Sequence, residues 1–249
     1  MPGAIGTYKE KTLHRELKWH IEPSGALHEV PVGKYIADIK TDNEIIEIQT
    51  QSFYKLRDKL NAFLPENIVE LVYPITREKL LVWVDVDGEI LRTRRSPRKG
   101  TFYNAFRELY QIKSLLVNEN LHVRLVLVDV SEKRTPEDET SRKIEDRANR
   151  RGSYNRRHGY TKIDTSIQSI YDEMTISCPM EYAQLIPATL DDGFTTAGFA
   201  SAAGLSKYNA GIALNVLRHV GVVNIAGKSG RFYVYVRKNG IDNGKPGIL

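Results

Sequence analysis

The spacing of apolar residues changes several times along the chain, and each change marks a predicted element. In YKEKTLHRELKWHI, Leu13, Leu17 and Ile21 recur at helical spacing, and Pro23-Ser24-Gly25 ends the run. HEVPV, KYIADIK and EIIEIQT then read as three short strands, with turns at Gly33 and at Asp42-Asn43. QSFYKLRDKLNAFL returns to helical spacing, with Phe53, Leu56, Leu60 and Phe63 on one stripe. NIVELVYPI is a predicted strand, and KLLVWVDVDGEILRTRR a hairpin turning at Asp87-Gly88. TFYNAFRELYQIKSLLVN predicts a second long helix and LHVRLVLVDV a buried strand. This order, with helices packing on a central sheet, predicts a compact α/β domain over residues 1–130.

From 131 to 160 apolar residues nearly vanish, which predicts a charged linker or an exposed arm. A second unit is expected over 161–240, followed by a tail at 241–249. In it, FTTAGFASAAGLSKYNAGIALNVLRHVGVV reads as helix, turn at Gly204, and a helix capped by Ser206. VVNIAGKSGRFYVYV reads as a hairpin with Lys228-Ser229-Gly230-Arg231 at its tip.

Composition narrows the function classes. The chain has 249 residues, 36 Lys and Arg against 31 Asp and Glu, and a single cysteine, Cys178. One cysteine excludes an internal disulfide or a multi-cysteine metal site, and is expected to be a buried thiol in a reducing compartment. The sequence shows no signal-like apolar segment at its start and no run long enough to span a membrane, so a cytoplasmic protein is expected. The net charge of +5 is mild, but its distribution is uneven. RTRRSPRK at 92–99 and RANRRGSYNRRHGYTK at 147–162 carry no acid. Two such runs favour a nucleic-acid surface over a merely solvated face. No phosphate-cradling glycine loop, G-x-S-x-G or H-E-x-x-H is present. His14 and His20, six apart, read as ordinary helix residues.

The acids of the meander carry the chemistry. A two-residue turn at Asp42-Asn43 pairs Thr41 with Glu44 and, counting outward, Asp38 with Glu47. Directly opposed residues have Cβ atoms about 4.5–5.5 Å apart, where two like charges repel unless a cation lies between them. Alternation puts Gln49 on the face of Glu47 while Ile48 points into the core. Glu29 on the preceding strand is placed to join them. Hard oxygen donors of this kind suit Mg2+ or Mn2+. A wet polar hairpin with no ligand is the alternative.

The run HEVPVGKYIADI…EIIEIQT followed by SFYKLRDKL resembles the core of the PD-(D/E)XK, restriction-endonuclease-like nuclease superfamily: a helix, a three-strand meander, a helix and a further strand, over roughly residues 10–130. The resemblance implies Asp38 as the acid of the second strand and Glu47-Ile48-Gln49 as the paired element of the third. Asp38, Glu47 and the Ile48 backbone carbonyl would hold the metal. Glu29 would be the additional upstream acid, with Glu16 its rival. Gln49 stands where the superfamily usually has lysine, and can orient water but brings no charge; Lys40, Lys55 or Lys59 would supply it. The carboxy-terminal unit resembles a winged helix-turn-helix. That implies DNA contacts from Lys207, Tyr208, Asn209, Asn215 and Arg218 on the second helix and Lys228 and Arg231 on the wing, or a dimerisation module instead. Arg94 and Arg95 would grip flanking phosphates. The expectation is a metal-dependent DNA endonuclease, homodimeric if both strands are cut. The alternative is a non-catalytic DNA-binding regulator or adaptor on a vestigial nuclease core.

Overall fold

A computed structural model describes residues 12–136 and 159–238. The chain is mixed α/β. Its main sheet runs in the order β1(His28–Val32), β2(Tyr35–Lys40), β3(Glu44–Ile48), β4(Ile68–Val84), β6(Leu121–Pro136), β7(Tyr160–Ile176), with β5(Ile90–Arg95) paired to β4. The first three strands form the antiparallel meander expected from the sequence. Ile39 faces Ile46 and Lys40 faces Ile45, and the Thr41 N–H donates to the Glu44 carbonyl at 2.9 Å across the two-residue turn.

β3 and β4 are parallel, so a crossover must carry the chain back along the sheet. The crossover begins at Ser52, whose φ of 62° is left-handed, winds through a 3-10 turn at Phe53–Leu56, and continues as α2(Arg57–Phe63). Its apolar stripe, Phe53, Leu56, Leu60 and Phe63, packs with Ile45, Val69 and Leu71 on one side of the sheet. On the other side, α1(Thr12–Ile21) lays Leu13, Leu17 and Ile21 over Ile39, Ile46, Ile48 and Val72.

Three differences from expectation have physical causes. The strand expected to stop near Ile75 is one strand with the first half of the hairpin. β4 passes through Pro74 and absorbs a bulge between Thr76 and Glu78. β3 pairs with β4 only as far as Val72, so the missing N–H of Pro74 lies beyond the β3 ladder. The long helix expected from TFYNAFRELYQIKSLLVN is a chain of short turns: a 3-10 turn at Phe102–Ala105, α3(Phe106–Leu109), and a 3-10 turn at Tyr110–Ile112. The buried residues Phe106, Leu109 and Ile112 are spaced by three, the period at which side chains eclipse in a 3-10 helix. Residues 131–136 are not linker but the end of β6, which pairs along its length with β7.

The boundary expected at 130 therefore cuts a sheet that continues to Ile176. Past Val72 and Arg124, β4, β6 and β7 continue side by side, and β5 joins β4 from Leu80. Most of the expected 131–160 linker, most of the 147–162 basic run and the 241–249 tail lie outside the described residues.

The carboxy-terminal unit holds α4(Thr196–Ala202), capped by Thr195, α5(Lys207–His219), capped by Ser206, and a hairpin of β8(Val223–Ser229) and β9(Phe232–Arg237). It shares one apolar cluster with the α2 and α3 side of the sheet, where Phe106 meets Phe199 edge-on at 6.5 Å. The Lys113 ammonium donates to the Asn215 side-chain oxygen at 2.9 Å, so Asn215 faces the α/β body rather than outward. Cys178 is half-buried, not fully enclosed.

Candidate active site

Asp38 and Glu47 end up on neighbouring strands as the turn requires. The β2–β3 ladder ends at the facing pair Ile39 and Ile46, and just beyond it the Asp38 N–H reaches Glu47 Oε1 at 3.4 Å. Asp38 Oδ2 accepts from the Ile48 N–H at 2.8 Å and meets His14 Nε2 at 3.1 Å. Glu47 Oε2 accepts from the Lys59 ammonium at 2.5 Å. The pair is thus approached from both layers: His14 comes from α1 and Lys59 from α2.

Glu47 is only 2% exposed. Burial, and then the charge of Asp38, push its carboxyl up to about 7, with Lys59 pulling the other way. Burial also works against charge on Asp38. There the His14 contact, the Ile48 N–H and the charge of Lys59 outweigh it and hold the carboxyl below its ordinary value. The two acids are driven apart, one readily ionised and one reluctant.

The other predicted residues are placed as follows. Glu29 has a left-handed φ of 53°, and its half-exposed carboxylate is ion-paired with the buried Lys18 of α1. Its rival Glu16 accepts the Ile167 N–H of β7 at 2.6 Å. Neither joins the pair, and among the described residues no group of three or more His, Cys, Asp or Glu is placed to hold a metal. Gln49 turns its amide to the Gln51 carbonyl at 2.5 Å, its own backbone N–H bonding Val72. Lys40 serves the Thr41 carbonyl and Asn67, and Lys55 lies over the Tyr54 ring. Of the three lysines weighed for the missing charge, Lys59 is the one at the pair. Ile48 keeps its side chain in the α1-side core, as expected.

His14 escaped the sequence reading, which took it for an ordinary helix residue. Its signal was its place on α1, three residues before the core residue Leu17 and so on the side turned toward the meander.

The expected contact residues outside the pair are dispersed. Arg94 and Arg95 lie on β5, every residue of which is exposed, and Arg95 ion-pairs with Glu78 at 2.9 Å. Lys207, Tyr208 and Arg218 are exposed on α5, whereas Asn209 is half-buried beside the Ser206 cap. Lys228 and Arg231 lie over the rings of Tyr233 and Phe232 at the hairpin tip.

A divalent cation suits this donor set. Mg2+ binds through one or two carboxylates and completes its shell with water and phosphate oxygens, so Asp38 and Glu47 suffice without a third acid.

Residues 11–177 match the family described as "Domain of unknown function (DUF8091)", and the chain belongs to it. The match covers α1 and the whole main sheet and ends with β7, before the carboxy-terminal unit. A protein of Treponema pallidum (strain Nichols), described as uncharacterized, is 34% identical over 125 residues, half of each chain. The chain therefore spans about half the length of this curated relative. No solved structure matches. Among the described residues no helix is long and apolar enough to cross a membrane.

Proposed function

We propose that the protein is a metal-dependent nuclease that hydrolyses phosphodiester bonds in nucleic acid, with a PD-(D/E)XK-like core. The observation that carries this reading is the neighbouring carboxylates Asp38 and Glu47, the latter paired with Lys59, on a meander whose third strand crosses over through a helix to a parallel fourth. Mg2+ or Mn2+, when bound, would lower the pKa of a coordinated water and offset charge on the scissile phosphate. Asp38 and Glu47, with the Ile48 carbonyl, would hold the ion. Lys59 supplies the fixed positive charge that the glutamine at position 49 lacks, and aims it at the reacting group from the crossover rather than from β3. His14 keeps Asp38 oriented and ionised. The carboxy-terminal helices and hairpin serve as a winged helix-turn-helix, presenting Lys207, Tyr208 and Arg218 to DNA or to a second copy.

A non-catalytic nucleic-acid-binding adaptor is the second reading. It is favoured by the way Lys59 and His14 already satisfy the two carboxylates. Incubation of the purified protein with plasmid and single-stranded DNA and with RNA, with Mg2+, Mn2+ or a chelator, separates the two. Chelator-sensitive cleavage is expected, and Asp38→Ala should remove it by about three powers of ten, the loss of several kcal/mol of metal-derived stabilisation. Cleavage that survives Asp38→Ala, or none with either metal, sinks the nuclease reading.

A further inference from the structure

The free edge of β4 carries a second feature. β3 covers that edge up to Val72, and β5 covers it again from Leu80. Between them β4 has no strand partner on that side, and the gap is a recess of about 520 Å3 floored by Pro74, Thr76 and Lys79. One wall is Thr50, three residues past Glu47; the other is the segment after β5, with Arg98 and Lys99. Three cations and no acid line this recess. A second recess, of about 310 Å3, shares Thr50, Pro74, Thr76 and Lys79 and reaches Leu13 and Lys162. Leu13 adjoins His14, the residue that holds Asp38. The two recesses adjoin along Thr50, Pro74, Thr76 and Lys79 at the β4 edge.

The basic wall is fixed rather than loose. The Gly100 N–H donates to the Arg77 carbonyl at 2.9 Å, and the Ser96 N–H to the Lys79 carbonyl at 2.8 Å. Gly100 lies so close to β4 that a Cβ there would come within 2.1 Å of the Thr76 carbonyl oxygen. Only glycine permits that approach, which seats Arg98 and Lys99 against the strand. Their charges are in surplus. Lys99 shares Glu78 with Arg95, at 3.0 and 2.9 Å, and the Arg98 side chain has no ion pair among the described residues. Lys79 is held at 2.6 Å by the buried Glu132. A rigid cationic notch whose own lining holds no acid fits a chain of phosphates.

We propose that this notch between β3 and β5 seats the sugar–phosphate backbone of a nucleic-acid strand, with Arg98 and Lys99 binding phosphates outside the scissile one. The inference rests on the nuclease reading for the chemistry, but not for the binding itself.

Fluorescence anisotropy of a labelled oligonucleotide, single-stranded or duplex and of arbitrary sequence, tests it in an Asp38→Ala background that cannot cut. Removing both cations, Arg98→Ala with Lys99→Ala, should weaken binding about tenfold or more. It should also flatten the log–log salt slope by about 1.4 for a single strand or about 1.8 for a duplex, the release expected for two phosphate contacts. Lys34→Ala, in the β1–β2 turn, should change neither. Circular dichroism confirms that each variant is folded, and Arg98→Glu provides a second variant if the double one is not. Unchanged affinity and slope, or no binding by the starting protein, overturns the proposal. Binding through the notch without cleavage by the unmodified protein leaves the notch and ends the nuclease reading. Cleavage and binding indifferent to Arg98 and Lys99 do the reverse.

Discussion

Glu47 on β3 and Glu132 on β6 lie in the same sheet, 2% and 4% exposed, and each is bonded to a lysine. Burial opposes charge on both. Around Glu132 the hydrogen bonds from Lys79 and Arg134 outweigh that penalty, with Lys162 a further 3.8 Å contact, and the carboxyl is held below its ordinary value. Around Glu47 a single lysine faces both burial and the charge of Asp38, and the carboxyl rises to about 7. The first arrangement is complete within the chain. In the second, burial and a neighbouring carboxylate outweigh the one lysine.

The largest expected effect breaks the complete cluster. Glu132→Gln leaves Lys79 and Arg134 without their anion and should cost roughly 2–3 kcal/mol in urea unfolding at neutral pH, less than a fully enclosed pair because Lys79 and Lys162 reach water. Because the folded-state pKa of Glu132 is depressed, its contribution is present above the ordinary glutamate value and fades as pH falls through the folded value. An unfolding midpoint indifferent to the substitution would remove one side of the comparison.

Next comes Lys59→Gln, which takes away the one cation beside Glu47. Cleavage should fall about tenfold to a hundredfold, and the acid limb of its pH profile should move upward because Glu47 becomes still harder to ionise. Lys59→Arg should recover part of both, which a purely structural lysine would not produce.

Glu47→Gln should raise stability by roughly 1–2 kcal/mol at pH 8. The folded-state pKa is raised from 4.5 to about 7, so the unmodified protein loses stability as pH rises across that interval and the glutamine variant does not. The gain should shrink below pH 7 and vanish below 4.5. Equal unfolding curves at pH 8 would mean that Glu47 is no less satisfied than Glu132. The smallest effect belongs to Gln49→Ala: its amide is committed to the Gln51 carbonyl, so cleavage should change by less than about threefold, within the loss of one exposed hydrogen bond.

Much of the candidate site was legible because it depends on short-range rules. Strand alternation and a two-residue turn suffice to bring Asp38 near Glu47 and to send Ile48 inward, whatever the rest of the chain does. The same rules stop at the strand ends. Glu29 lies on the expected strand, yet its left-handed backbone and the buried Lys18 draw its carboxylate elsewhere. Gln49 follows the last β3 residue, where alternation no longer governs direction.

The sequence by itself determined the meander, the two flanking helical stripes, the nearness of Asp38 and Glu47 and the basic character of residues 92–99. These follow from the period of apolar positions and from turn chemistry, which act over a few residues. Only the tertiary structure decided that Lys59, not Lys40 or Lys55, meets Glu47, that His14 holds Asp38, and that β7 closes the sheet across the polar segment. It also decided that β3 and β5 leave a gap on β4. Those outcomes depend on how a crossover helix packs and where neighbouring strands end, set by burial across the whole sheet rather than by any local pattern.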